Sequence, residues 1–105
     1  MVVVRVLFPI KGLDINEFSK KMLASVPNYE GLEGLIRKYY VVTDDKTKAG
    51  GIYLWESREK AENFYDGEWT NRITGFFGES PMLEFLDCTI VIDNETNSVK
   101  SKVTA

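Results

Sequence analysis

The spacing of apolar positions changes several times along the chain, and each change marks an element. Val2 to Phe8 is continuously apolar but for Arg5 and rich in β-branched residues, so it reads as a buried strand closed by Pro9 and Gly12. From Asp14 the period lengthens to that of a helix, with Ile15, Phe18, Met22, Leu23 and Val26 on one stripe. Asp14 is the expected N-cap, and Glu17 completes a capping box. Leu13 and Phe18 are placed for a hydrophobic staple, and Pro27 stops the helix. Leu35 to Val42 is the second strand, residues 43–48 are a polar hairpin connection, and Gly50 to Trp55 is the third strand. After the N-cap candidate Ser57, the positions Ala61, Phe64, Tyr65, Trp69, Ile73 and Phe76 recur every three or four residues. Gly67 predicts a kink or break in this second helix, and Gly75, Gly78 and Pro81 end it. Met82 to Ile92 reads as a fourth strand; the residues from Asp93 are polar and lack a period, a segment either loose or laid across a partner.

The order β-α-β-β-α-β predicts an α+β, ferredoxin-like fold: one antiparallel sheet with both helices on one face and strands one and three in its centre. The domain spans residues 1–94, and residues 95–105 are a polar C-terminal tail. Strand alternation places Tyr53 and Trp55 on one face and Ile52 and Leu54 on the other. Strand one offers Val2, Val4, Val6 and Phe8 to one side and Val3 and Leu7 to the other. In strand four, Leu83, Phe85 and Val91 alternate with Leu86, Cys88, Ile90 and Ile92. Two helices cover one face only, and the other, left bare, would exceed the ~300–600 Å² apolar patch of a typical monomer. A second copy packed sheet to sheet solves this, so the expected assembly is a homodimer, a dimeric α+β barrel with the helices outside.

The chain has 105 residues and a net charge of −3, with its basic residues spread out, so no nucleic-acid footprint is expected. No run approaches the ~20 apolar residues of a membrane span, and the apolar start is too short for a signal segment. No membrane partner and a cytoplasmic location are expected. The single cysteine, Cys88, forms no internal disulfide and reads as a small core residue. There is no histidine, which removes the commonest general base, the His-activated nucleophiles and His-held zinc, copper or haem. Chemistry here rests on carboxylates, Lys, Arg, Tyr or the substrate's own reactivity, and no cofactor is expected.

Lys38 lies mid-strand between Ile36 and Tyr40. Partly buried, it would have a depressed pKa and could stabilise an enolate or phenolate; the plainer reading is an edge-strand lysine guarding against aggregation. Tyr53 and Trp55 could line an aromatic pocket, or simply pack in a core or interface. Tyr39 and Tyr40 share that ambiguity. Tyr65, Trp69 and Arg72 fall near one stripe of the second helix, where Arg72 could grip an anionic oxygen or snorkel to water. The candidate catalytic residues are therefore Lys38 and Tyr53, and the candidate substrate-binding residues Trp55, Tyr65, Trp69 and Arg72. Arg5, in a central strand, needs a carboxylate such as Glu84 or Asp87. Asp44 and Asp45 read as turn residues, since hard-cation sites need more oxygens.

Gly34-Leu35-Ile36-Arg37-Lys38-Tyr39-Tyr40, followed by Ala49-Gly50-Gly51-Ile52-Tyr53-Leu54-Trp55-Glu56-Ser57, resembles the YdhR-type putative monooxygenase family of the dimeric α+β barrel superfamily. The resemblance runs from about Leu32 to Asn94 and is sharpest at Lys38, Gly50-Gly51, Tyr53-Leu54-Trp55 and the Ala61/Phe64/Tyr65 helix; the first strand and helix match in pattern alone. It implies the barrel and the dimer, and oxygenation of a small aromatic or polyketide-like molecule without a cofactor. Haem degradation, found in the wider superfamily, needs a histidine ligand absent here. The alternatives are a non-catalytic ligand-binding or stress-response protein of the same fold, and an isomerase or lyase using Asp87 or Lys38 as base.

Overall fold

A computed structural model describes residues 1–10 and 12–102, without the Phe77 side chain. Four strands, β1 (Val2–Pro9), β2 (Leu35–Val42), β3 (Lys48–Trp55) and β4 (Met82–Asp87), form an antiparallel sheet in the order β2-β3-β1-β4. The helices are α1 (Ile15–Ser25), α2 (Arg58–Phe64) and α3 (Gly67–Phe77), and a 3₁₀ turn over Val26–Asn28 follows α1. The architecture is α+β and ferredoxin-like, with β3 and β1 central as the crossover rule requires.

Each helix begins on a side-chain cap. Asp14 accepts from the backbone N–H groups of Asn16 (2.8 Å) and Glu17 (3.2 Å), the first half of the expected capping box. Leu13 stays 44% exposed, and Phe18 packs on Phe8 with ring centroids 6.1 Å apart. The second helical segment breaks at Gly67 as expected. Tyr65 leaves helical geometry (φ −86°, ψ 58°), and Asp66 caps a new helix by accepting from the Trp69 N–H at 2.8 Å. Two stripe positions depart from expectation: Leu23 is 73% and Phe76 69% exposed, each lying near the end of its helix.

Val2, Val4, Val6 and Phe8 of β1, Tyr53 and Trp55 of β3, Phe18 of α1 and Ala61, Tyr65 and Trp69 of the later helices form the core on the helix-covered face. Gly50 lets the central strands approach: a Cβ there would lie 1.9 Å from the Val6 carbonyl oxygen. A bulge between Leu35 and Arg37 shifts the β2 register, so Leu35 stands opposite Trp55 and Lys38 opposite Tyr53. Ile36 is the displaced residue, exposed at the bulge, and Lys38 shares its face with Tyr40 and Val42.

The opposite face carries Val3, Arg5 and Leu7 of β1, Ile52 and Leu54 of β3, Tyr39 and Val41 of β2, and Met82, Glu84 and Leu86 of β4. Met82, Leu86 and Tyr39 are exposed on it, while Val3, Leu7, Val41, Ile52 and Leu54 are half-buried. Arg5 is half exposed on this face and pairs with Glu84 across the strands at 3.2 Å, so it is not buried in the core.

The expected fourth strand is corrected at its end. β4 stops at Asp87 because Asp87 stands opposite Val2, the first residue of β1, and no further partner exists. The chain turns there, with the Cys88 N–H donating to the Met1 carbonyl at 3.0 Å. Residues Ile90–Asp93 (β5) pair with Ser98–Ser101 (β6) in a separate hairpin. It is tied to the body by ion pairs of Asp93 with Arg37 and of Lys102 with Asp87. Ile90, Ile92 and Val99 on it are exposed. The radius of gyration, 14.9 Å, exceeds the ~13 Å of a compact chain this long.

Candidate functional site

The alternation of β3 and the stripe of α2–α3 converge on one aromatic cluster. Tyr53 and Trp55 stack in parallel, with centroids 6.4 Å apart. Tyr65 meets Tyr53 edge-on at 5.4 Å and Trp69 at 4.9 Å. The Trp55 indole N–H donates to the Tyr65 hydroxyl at 3.1 Å, a buried pair that satisfies both polar tips. Burial raises the pKa of Tyr53 and of Tyr65, so both hydroxyls stay protonated at neutral pH. The Trp69 indole N–H is the sole buried side-chain polar atom without a partner among the described residues.

Lys38 stands at the edge of this cluster. Its Nζ lies 3.3 Å from the ring centroid of Tyr29, 4.0 Å from that of Tyr40 and 4.7 Å from that of Tyr53. Among the described residues no carboxylate is paired with the amine, and loss of water is what moves its pKa down from 10.5 to about 7. The three ring faces favour the charged form and so work against that desolvation. Gly51 makes the arrangement possible: a Cβ there would sit 2.8 Å from Tyr53 Cε1 and 3.1 Å from Lys38 Cε. The Gly-Gly pair thus has two functions, the first residue admitting a strand and the second a lysine. Tyr40 is held by a 2.6 Å hydrogen bond between its hydroxyl and that of Ser25, tying β2 to the end of α1.

A family model described as "Putative mono-oxygenase ydhR" matches residues 3–80. The chain belongs to the YdhR family. A search of curated proteins finds no match.

In this YdhR-family chain the structure brings five of the six candidate residues, Lys38, Tyr53, Trp55, Tyr65 and Trp69, to one face of the sheet. Arg72 does not join them. It is exposed on α3, whose inward stripe runs from Trp69 to Ile73. A groove of ≈ 480 Å³ opens beside the cluster, walled by Trp55 and Phe64 with Ser57, Lys60, Glu33 and Leu32. Of the six candidates Trp55 alone lines it. Phe64, which lines the groove, is in ring contact at 5.9 Å with Tyr29, whose ring lies under the Lys38 amine.

Tyr29 is the residue the sequence reading missed. It follows the 3₁₀ turn and contacts Tyr40, Tyr53 and Phe64 as well as Lys38. Its signal was a lone aromatic between Pro27 and Gly31 in a segment without a period. Asp87, the alternative base, is exposed and paired with Lys102 at 2.5 Å, away from the cluster. Asp45 serves its turn: its carboxylate accepts from both hydroxyls of Thr43 and Thr47, which hold its pKa down to about 2. Cys88 is half-buried at the end of β4 and outside the core. Among the described residues no group of three or more His, Cys, Asp or Glu could hold a metal, and no helix is long and apolar enough to cross a membrane.

Proposed function

We propose that the chain is a homodimeric mono-oxygenase that acts on a small aromatic or polyketide-like molecule without a cofactor. One observation carries the reading: a lysine amine with no acid partner among the described residues, walled by tyrosine rings, in a member of the YdhR family. Flat electron-rich substrates suit an aromatic lining with few polar anchors. The substrate would be a phenol or an enolisable ketone whose adjacent CH₂ is acidic. Lys38, near neutrality at physiological pH, takes the proton and, once charged, stabilises the oxyanion so formed. The carbanion adds to dioxygen, a C–O bond forms, and the O–O bond then breaks. The CH₂ becomes C=O, and its two hydrogens leave with the second oxygen atom as water. Tyr53, protonated beside Lys38, supplies a hydroxyl within the same cluster, and Trp55, Tyr65 and Trp69 form the stacking wall.

The homodimer is supported by the sheet face opposite the helices, where Leu86 is exposed and Leu7, Ile52 and Leu54 are only half-buried. Oxygen-electrode screening with anthrone-like phenols tests the catalytic reading. Uptake that disappears in Lys38→Met and turnover that stops without oxygen are expected. Equal conversion under anaerobic conditions overturns the mechanism, and ligand binding with no oxygen uptake across the library points to a binding protein instead.

A further inference from the structure

We propose that two copies of the chain pair around a two-fold axis running along the strands, so that Tyr39 of each copy packs against the Arg5–Glu84 pair of the other. The inference rests on the homodimer proposed above and adds its orientation and its contact.

Strand register supplies the geometry. Tyr39 stands opposite Ile52, Ile52 opposite Arg5, and Arg5 opposite Glu84, so the four form one row across β2, β3, β1 and β4. The row lies on the sheet face away from the helices, because the next row along, Lys38, Tyr53, Val4 and Phe85, points the other way. Tyr39 ends the row on one side and is 54% exposed. Glu84 ends it on the other, half exposed and joined to Arg5 at 3.2 Å. A hollow of ≈ 230 Å³ opens there, with Arg5, Leu7, Met82 and Glu84 in its wall. A knob and a hollow thus lie at opposite ends of the same row.

Identical sheets that meet face to face are related by an axis lying between them. An axis along the strands lays each row over its copy end for end. β2 then lies over β4 of the partner, and Tyr39 meets the Arg5–Glu84 pair twice. Ile52 meets the apolar stem of Arg5, whose charge Glu84 holds. An axis across the strands at this row sets Arg5 over Arg5 and Glu84 over Glu84, which like-charge repulsion disfavours. The ~30° crossing of aligned sheets moves the ends of the row by a few ångström, within reach of Tyr and Glu side chains. The Tyr39 hydroxyl is already oriented for the contact. Arg37, held by Asp93 of the hairpin, hydrogen-bonds the Tyr39 side chain, and both contacts raise the Arg37 pKa. A guanidinium can only donate, so the Tyr39 oxygen accepts from it and keeps its own proton for the carboxylate of the partner's Glu84.

The test uses full-length chains, light scattering over a dilution series and circular dichroism to follow the fold. Tyr39→Asp sets an acid against the partner's Glu84, and Glu84→Lys removes the acceptor and leaves two cations together. Each alone is expected to weaken the dimer at least ~10-fold. Combined in one chain, they set acid against base at both contacts, and affinity is expected to return to within ~3-fold of the unaltered chain. Within a chain the two positions are three strand spacings apart, about 14 Å, too far to pair with each other, so recovery reports contact between copies. A double variant no tighter than the single ones overturns the pairing and leaves the homodimer standing. An unaltered chain of single-chain mass overturns both. Where a charged variant fails to fold, Tyr39→Phe decides. It is expected to weaken the dimer at least ~3-fold in the unaltered chain and not at all beside Glu84→Ala, and an equal effect in both backgrounds overturns the contact.

Discussion

At the scale of single residues, the two glycines and the lysine they accommodate were unequally legible. The sequence shows Gly50-Gly51 opening a strand; it does not show that one glycine faces a carbonyl and the other a side chain. Gly50→Ala places a methyl 1.9 Å from the Val6 oxygen. It is expected to cost about 3 kcal/mol by urea denaturation, since neither central strand can withdraw. Gly51→Ala meets the Tyr53 ring and the Lys38 tail, which can move, so a smaller stability loss and a larger loss of Lys38 reactivity are expected. Lys38 also sets a pH dependence. Burial lowers its pKa from 10.5 to about 7 in the folded chain. Between those values the unfolded chain keeps the proton and the folded chain does not, so the Lys38 contribution makes stability rise with pH across that window. Below it both states are charged, and the fold bears the full cost of the buried ammonium. Urea midpoints of the wild type and Lys38→Met should therefore differ most near pH 6, with the variant more stable, and converge towards about pH 10. A gap that does not change with pH would contradict the assignment. Tyr29 lay outside the reach of sequence reasoning because a loop residue has no period to reveal which way it faces.

At the scale of elements, local chemistry and observed boundaries agree wherever a cap or a turn writes the boundary into the chain. The bounds of β2 match the expected Leu35 to Val42, and α1 follows its Asp14 cap. Gly67 marked a break, but Asp66 is what starts the next helix, by accepting from the Trp69 N–H. Asp66→Ala is expected to cost about 1 kcal/mol in chemical unfolding, with Trp69 fluorescence as the probe of its helix. Asp66→Asn should keep most of the loss from appearing, because the amide oxygen accepts the same bond. The end of β4 was not legible: Met82 to Ile92 is apolar enough for one strand, and the stop comes from the length of β1, a neighbour far away in sequence. The bulge at Ile36 was hidden for a similar reason. It adjusts β2 to β3, and neither strand alone records the mismatch.

At the scale of the whole molecule, one face of the sheet is a filled core and the other is only half-buried. Leu86, Met82 and Tyr39 are exposed on that second face, and Ile90, Ile92 and Val99 are exposed on the C-terminal hairpin. An isolated two-stranded hairpin is marginal in water, which adds to the case for a second copy. Light scattering is expected to give about twice the 12.0 kDa of one chain. Ile52→Asp, on the second face of central strand β3, should return the mass to that of one chain while the far-ultraviolet circular dichroism of the fold persists. A wild type of single-chain mass would remove the barrel. By itself the sequence determined the order of the elements as far as the start of β4, the two faces of β1 and β3 and the family, because alternation, caps and helical period belong to neighbouring residues. Only the tertiary structure decided where β4 ends, that Arg72 turns outward, and that Lys38 sits within Tyr29, Tyr40 and Tyr53 over Gly51. The charge of an amine depends on the groups that replace its water, and here those groups come from separate parts of the chain, brought together by packing.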